Sequence, residues 1–398
     1  MGLAAIVRLA FEGEDLTPLL NRLVARVERN PADAAALLDL STLMQAVGQP
    51  DQAKDLQKDA LALRHLYRRP HGAGDRLTVL AILAPGDFMA NTPIDFLLEG
   101  SQVTLWSYYI DETTSSLADA PEHDVAFIGI GESEATEALL KRASELLRGW
   151  GRPVINDAPL SITGLSRDSL YRRLEDAPSL YAPRTARAFR EQVQALADGA
   201  LALDILLPGE QWPLIVRPVG THAGHGLERV ESPQALAAYL EGHEDAWLYL
   251  APFVDYSGPD GLFRKQRIAF IDGRAYPSHF AVSEHWMVHY LSAQMTERPE
   301  RRAEEEAWMR DFDTDFAVRH AAAFAALHAQ LGLDYFGIDC AETQDGRLLI
   351  FEADVAMIVH ALDPAGHFPY KKPAMRRLFD GFVAALAARA KTCEPVTP

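Results

Sequence analysis

The sequence predicts an α/β protein of several domains, preceded by a segment that is all helix. Three observations carry this. Up to about Arg69, apolar residues recur at helical spacing, through Leu19, Leu23, Val24 and Val27. From Leu77 the pattern changes to short aliphatic runs that alternate with helical stretches, as a mostly parallel sheet requires. Further on, Asp272-Gly273 and Asp345-Gly346 each stand between apolar runs, as the turns of antiparallel hairpins do. With 398 residues, the chain is too long for one ordinary core.

Composition narrows the function. Hydrophobic residues at 48% and charged residues at 24% are the mix of a globular protein in water, and no apolar run reaches the length of a membrane span. Charges at Glu12, Glu14 and Asp15 follow the start closely, so it reads as neither a secretory signal nor a transit peptide. Ile6 stands where a myristoylation signal needs Ser or Thr. Two cysteines, Cys340 and Cys393, make no disulfide framework and fit a reducing cytoplasm. A formal net charge of −18 argues against nucleic acid or anionic lipid as the main partner. A local basic pocket for a nucleotide remains compatible with that acidic exterior.

In the helical segment (1–70), Leu37, Leu40, Met44, Gly48, Ala53 and Ala60 stand where a tetratricopeptide helix pair places its packing residues. Gly48 and Pro50 supply the turn between the two helices. One such repeat reads either as a hairpin packed on the main body or as a docking surface for a peptide or protein. Arg68 to Gly74 reads as a basic linker. Leu77–Leu83, Val103–Tyr109 and Val125–Ile130 are strands, Ser133–Trp150 is a helix ended by Gly151, and Pro153–Asn156 is a short strand. Asn91 or Thr92 can cap a short helix with Pro93 in its first turn. Gly129-Ile130-Gly131 lacks the third glycine of a dinucleotide fingerprint.

The chemistry lies downstream. The apolar strand Leu214–Val216 presents Arg217 and then runs into Gly220, Thr221, Gly224 and Gly226. Glycines let backbone amides approach phosphate oxygens, and a nearby guanidinium neutralises them. No Gly-Lys-Ser/Thr follows, so this is not a P-loop. Around Asp345-Gly346, setting Gln344 opposite Arg347 and counting outward places Asp339 opposite Glu352, with Asp354 on the same face as Glu352. Like charges opposite one another on a sheet are destabilising, so these three carboxylates need a compensating cation. Hard oxygen ligands suit Mg²⁺ or Mn²⁺. The hairpin turning at Asp272-Gly273 carries Arg264, Lys265 and Arg267; the first two point to opposite faces, giving either an anion pocket or a solvated edge.

These three features, in this order, resemble the ATP-grasp superfamily over roughly residues 76–390, nearest to its ribosomal-protein-modifying glutamate ligase and glutathione synthase branches. The resemblance implies an N-terminal α/β domain (76–158), a small subdomain with a glycine-rich lid (159–255) and a large subdomain with a metal site (256–392). It implies that ATP phosphates are held by Arg217, where the family more often has lysine, and by the loop from Gly220 to Gly226. The metal set would be Asp339, Glu352 and Asp354, the last in place of the family's asparagine. Arg267 would face phosphate or the acyl intermediate. Tyr249, Ala251 and Phe253, within the hinge Trp247–Val254, would border the adenine, with backbone groups reading the base edge and Asp255 at the ribose. The family's helper lysine after Arg167-Asp168 is absent, with Ser169 there; Arg172 or Arg173 would substitute.

The activity implied is ligation of a small-molecule or peptide carboxylate to an amine through an acyl phosphate, releasing ADP and phosphate. A kinase on the same fold and a non-catalytic scaffold docking a peptide on its N-terminal helices are the alternatives. His285 and His289 have helical i, i+4 spacing, but a zinc pair would need a third ligand. The stretch Tyr276–Tyr290 reads as a substrate-facing wall, with Arg264, Lys265, His279 and His289 as substrate contacts, or as structure. Oligomeric state stays open, a homodimer included.

Overall fold

The computed structural model describes residues 1–221 and 224–393. Helices Leu3–Phe11, Thr17–Arg29, Ala34–Ala46 and Pro50–Leu63 form the N-terminal segment. The last two are joined through Gly48 at φ 74°, a left-handed value that costs glycine nothing, and Pro50 opens the next helix. Ile6, Leu19, Leu23, Ala36, Leu40 and Leu43 give the segment its own small core. The first helix is also fastened to the main body. Ala4 packs with Phe96 and Leu362, and Arg8 pairs with Glu99 at 2.7 Å.

Asp33 caps the third helix. Its carboxylate accepts from the Ala36 amide and pairs with Arg26 at 2.8 Å. Partial burial opposes these contacts, but together they hold the carboxyl below its usual range. Asp33→Ala is expected to destabilise the segment by about 1 kcal/mol, read as faster hydrogen exchange of the Ala36 and Leu37 amides. Because the folded pKa is depressed, the stabilisation is fully present above the unfolded carboxylate pKa near ~4 and fades as pH falls through the folded value.

The strands in chain order are β1 (Leu66–Pro70), β2 (Leu77–Leu83), β3 (Val103–Tyr109), β4 (Val125–Ile128), β5 (Val154–Ile155), β6 (Leu180–Tyr181) and β7 (Ala186–Phe189). They continue with β8 (Leu214–Pro218), β9 (Glu228–Val230), β10 (Trp247–Pro252), β11 (Phe263–Ile271), β12 (Arg274–Ser283), β13 (Tyr335–Glu342) and β14 (Leu348–Asp354). They make three sheets, so the protein is of the mixed α/β class.

The first sheet has the order β1-β3-β2-β4-β5, parallel except for β1. Helix does not run on to Arg69, and Arg68 to Pro70 is not a linker. Leu66–Pro70 is instead an edge strand, with Leu66 opposite Tyr108. Tyr67 turns inward there, its hydroxyl donating to Ala60 O at 3.0 Å, and Pro70 falls at the edge-strand end, where a missing N–H is tolerated. Neither Asn91 nor Thr92 caps the helix Ile94–Leu97. The Asn91 amide clasps the backbone of Ala84, and the Thr92 hydroxyl donates to Val355 O at 2.7 Å.

The second sheet, β7-β10-β8-β9, is backed by helices Arg190–Ala197 and Pro233–Glu241, with a core of Ala188, Val193, Val216, Leu236 and Leu248. The third runs β12-β11-β13-β14-β6. Helix Lys371–Ala390 is wedged between the first and third sheets: its Phe379 and Phe382 pack with Val79 and Phe127 of one and Ile271 and Tyr335 of the other.

The two Asp-Gly turns differ. At Asp272-Gly273 both residues take positive φ, 49° and 75°, and Ile271 faces Arg274, which is the two-residue hairpin expected. At Asp345-Gly346 the Thr343 amide donates to Arg347 O at 3.0 Å, so the loop has three residues, with Gly346 at φ 82°. That shifts the pairing by one, to Glu342 opposite Leu348, and an irregularity after Cys340 restores Asp339 opposite Glu352. The stretch from Glu284 to His289 is not helical, so His285 and His289 do not share a helix face. Among the described residues no helix is long and apolar enough to cross a membrane.

Candidate functional site

β13 lies between β11 and β14, so Asp339 has Arg267 on one side and Glu352 on the other. Lys265, two residues from Arg267, shares its face. Asp339 is 1% exposed; Arg267 donates to its two oxygens at 2.8 and 3.1 Å, and Lys265 Nζ lies 2.6 Å from Oδ2. Burial alone would raise the Asp339 pKa, but the two cations outweigh it and hold the carboxyl well below its usual range. The remaining Arg267 nitrogen, Nη1, donates to Ile358 O at 3.0 Å, pinning the loop after β14.

Glu352 is paired with Arg167, the first residue of helix Arg167–Leu174, which also donates to Phe351 O at 2.8 Å. Asp354 accepts the Ala356 amide at 2.9 Å. Burial, reinforced by Glu352 and opposed by that amide, pushes its pKa up to about 7. Glu132, in the loop after β4, is likewise pushed up to about 7 by burial, then by Asp354 and Asp168. The first sheet therefore reaches the site through Glu132.

The second sheet offers a row of three side chains on one face. Tyr249 of β10 is flanked by Arg187 of β7 and Arg217 of β8. Arg217 is 7% exposed and donates through Nη2 to the Thr221 carbonyl and, at 3.1 Å, to the Thr221 hydroxyl. Its Nε and that of Arg187 are both buried with no hydrogen-bond partner among the described residues. Burial, and then the like charge of Arg167, lowers the Arg217 pKa to about 10. Tyr249 is raised to about 12 by burial and then by Asp168 and Glu132.

Gly220, Gly224 and Gly226 all hold positive φ, at 78°, 77° and 64°, and a Cβ on Gly226 would meet the Pro218 ring at 2.7 Å. Of the glycine-rich stretch, His222 and Ala223 lie outside the described residues.

The other expected contacts divide. Ala251 pairs with Ile215, and Tyr249 faces the site. Phe253 cannot offer its amide to a base, because that N–H donates to Pro213 O at 2.9 Å; its ring lies 4.0 Å from the Arg229 guanidinium carbon. Asp255 is exposed and accepts the Ser257 amide at 2.9 Å. Arg264 points away from the site, to Asp260 and Glu304. His279 stands opposite Arg267, buried, with Nδ1 3.2 Å from Lys371 Nζ. His289 is half-buried, its pKa lowered by burial and then by Lys265 and Arg267. Arg172 pairs with Asp168, and Arg173 donates to Ser161 O, so the cation that approaches Arg217 from this helix is Arg167.

Asp339, Glu352 and Asp354 do not form a ready metal cage. Among the described residues no group of three or more His, Cys, Asp or Glu side chains is arranged to hold a metal. The reason is visible in the contacts: the chain supplies the compensating cations itself, through Arg267 and Lys265 at Asp339 and Arg167 at Glu352. The residues around this site to which the sequence reading gave no role are Arg167, Arg187 and Glu132. Arg187 could have been found as the single cation on the run Ala186–Phe189.

No family model matches the chain, and no curated protein matches it. Among solved structures, the chain is similar to an ATP-grasp RimK domain protein from Sphaerobacter thermophilus, at 17% identity over 78% of this chain and 99% of that one, with a TM-score of 0.43. It is also similar to a D-alanine–D-alanine ligase from Bacillus anthracis complexed with ATP (12% identity, 79% and 99% covered, TM-score 0.47). A third is the D-alanine–D-alanine ligase of Coxiella burnetii (11% identity, 80% and 97% covered, TM-score 0.49).

Proposed function

We propose that this chain is an ATP-dependent carboxylate–amine ligase of ATP-grasp architecture, forming an amide through an acyl phosphate. The observation that carries the reading is the row Arg187–Tyr249–Arg217. It holds two buried guanidinium nitrogens without partners; Arg167 and Glu352 are within electrostatic reach of Arg217, and Asp168 and Glu132 of Tyr249. Arg217, a buried cation with an unsatisfied Nε and the like charge of Arg167 near it, fits a polyanion; Arg187 beside it is already paired with Glu134 and adds its unsatisfied Nε. Arg217, Arg187 and Arg167 would hold the phosphates, with the amides of Gly220, Thr221, Gly224 and Gly226 around them. Ala251, Phe253 and Asp255 continue from Tyr249 along the adenosine side.

The acidic side chains offer the hard oxygen donors that suit Mg²⁺ or Mn²⁺: burial raises the pKa of Asp354 and of Glu132, which a cation would reverse, and Glu352 and Asp354, completed by Asp339, would hold the ion. Bound there, the ion would neutralise charge on the transferring phosphoryl group. Arg267, fixed between Asp339 and Ile358 O, would stabilise the oxygens of the acyl group. Lys265, His279 and His289 line the same side and would receive the acid and the amine. The protein's part is to position reactants and exclude water. An acidic chain with two cysteines suits a reducing cytoplasm.

The test is calorimetric titration of ATP with Mg²⁺, followed by a screen of acids and amines for joint release of ADP and free phosphate. Binding with stoichiometric ADP and phosphate release supports the ligase. ADP formed without free phosphate would make the protein a kinase, and no nucleotide binding would overturn the assignment.

A further inference from the structure

We infer that His279 is a neutral hydrogen-bond donor for an oxygen of the substrate carboxylate, locked in its Nε2–H tautomer by the Lys371 ammonium. This deepens the ligase reading above and rests on it for the substrate class.

The first support is where the sheet puts His279. From the Asp272-Gly273 turn, β11 and β12 pair regularly, from Ile271 opposite Arg274 to Ile268 opposite Pro277. Continued without a break, that register would set Ser278 opposite Arg267 and turn His279 to the other face. Instead Ser278 is an extra residue, and Arg267 faces His279. A row then runs straight across four strands, from His279 to Arg267 to Asp339 to Glu352. The bulge is costly: Ser278 is buried, and its hydroxyl has no partner among the described residues. A local rule broken at the expense of stability, to bring one side chain into a polar row, marks a functional position.

The second support is the set of protons around the ring. Nδ1 lies 3.2 Å from Lys371 Nζ. An ammonium has only N–H bonds to offer, so an N–H at Nδ1 would set donor against donor. The neighbouring Tyr290 hydroxyl accepts from Lys371 and donates to Asp363 at 3.1 Å, so its proton does not compete for Nδ1. Glu305 and Asp363, at 3.0 and 3.2 Å, hold the lysine in place. The ring proton therefore sits on Nε2. Burial, then Lys371, His360 and Arg267, oppose a second proton on the ring. Among the described residues Nε2 has no hydrogen-bond partner, and it is not sealed from solvent.

The consequence is a division of labour. An imidazole with Nδ1 closed off and its proton on Nε2 gives a hydrogen bond and takes no proton. His279 therefore meets an acceptor, the carboxylate or the acyl oxygen it becomes. It is not the base that deprotonates the amine.

The experiment is a long-range proton–nitrogen correlation spectrum of the histidine rings in the full chain without nucleotide, with His279 assigned by the signal lost in His279→Gln. Sodium acetate is the carboxylate probe and methylammonium chloride the amine probe, each against sodium chloride at equal ionic strength. The neutral Nε2–H pattern is expected, with a downfield shift of that proton in acetate and none in methylammonium. Lys371→Gln, whose amide accepts as well as donates, should show both tautomers, and Tyr290→Phe should leave the tautomer unchanged. An imidazolium or an Nδ1–H pattern in the wild type overturns the donor. So does an acetate response no larger than that to chloride. A pure Nε2–H ring in a folded Lys371→Gln overturns the lock, as does a changed tautomer in Tyr290→Phe, which decides alone if the lysine variant does not fold. Failure of the wild type to bind ATP with Mg²⁺, with the tautomer and the acetate shift intact, would instead fail the nucleotide reading.

Discussion

On the nucleotide site proposed above, Arg217→Ala is expected to lower the affinity for MgATP by about 100-fold and to leave the fold at least as stable as the wild type. The first half follows from the chemistry of a charged donor. Hydrogen bonds to charged groups are worth about 1.5–3 kcal/mol, and about 1.4 kcal/mol is a tenfold change. Arg217 would meet phosphate with its unsatisfied Nε as well as its charge. The second half comes from what Arg217 endures in the free chain: it is 7% exposed, its Nε has no acceptor, and Arg167 repels it. Removing it relieves that cost, and the Thr221 carbonyl and hydroxyl, which lose a donor, are half-exposed and can turn to water. Loss of affinity at constant or raised thermal midpoint is the mark of a binding residue held at the expense of stability. Arg217→Lys keeps the charge but not the planar fork and should fall between, at about tenfold. Calorimetry and a thermal melt on the same samples decide it; unchanged MgATP affinity in the alanine variant would remove Arg217 from the site.

How much of this was legible in the sequence depends on how far apart the partners lie in it. The runs Leu77–Leu83 and Val103–Tyr109 coincide with β2 and β3 to the residue, because a buried parallel strand is a continuous apolar run between turn signals. Asp272-Gly273 is the turn expected because two successive left-handed residues admit few alternatives. The opposition of Asp339 and Glu352 was also legible, but by a different route from the simple count. The turn takes three residues rather than two, and the irregularity after Cys340 absorbs the difference. Period-two counting gives the face; it does not give the compensating cation, because Arg167 comes from a distant helix and Glu132 from another sheet. The β1 strand was hidden for a related reason: Leu66-Tyr67-Arg68-Arg69 has no local preference strong enough to announce an edge, and its pairing with β3 decides it. The pair His285 and His289 shows the opposite error, a helical spacing in a stretch that forms no helix.

Lys371→Met is expected to cost the fold about 3–5 kcal/mol, the range for stranding buried charges by removing one partner. Lys371 Nζ lies 3.0 Å from Glu305, 3.2 Å from Asp363 and 3.2 Å from His279 Nδ1, and donates to the Tyr290 hydroxyl; Lys371, Glu305 and Asp363 are 3%, 0% and 5% exposed. The cluster joins β12, helix Pro299–Asp311 and the start of helix Lys371–Ala390, so its loss loosens the third sheet behind His279. Glu305 keeps other partners, the Phe280 amide at 3.0 Å and the Tyr370 hydroxyl at 2.7 Å, but these do not replace a charge. Burial already raises the Glu305 pKa against the pull of Lys371. Without the lysine it rises further, and the folded state then binds a proton that the unfolded state releases at lower pH. Stability contributed by a raised pKa is full below the unfolded value and lost as pH rises through the folded one. The variant should therefore be closer to wild type at pH ~5 than at pH ~8, and adding Glu305→Gln should recover part of the loss at the higher pH. Urea midpoints at the two pH values are the measurement, and a deficit independent of pH would mean that lost packing of the lysine stem, not the stranded carboxylates, carries the cost.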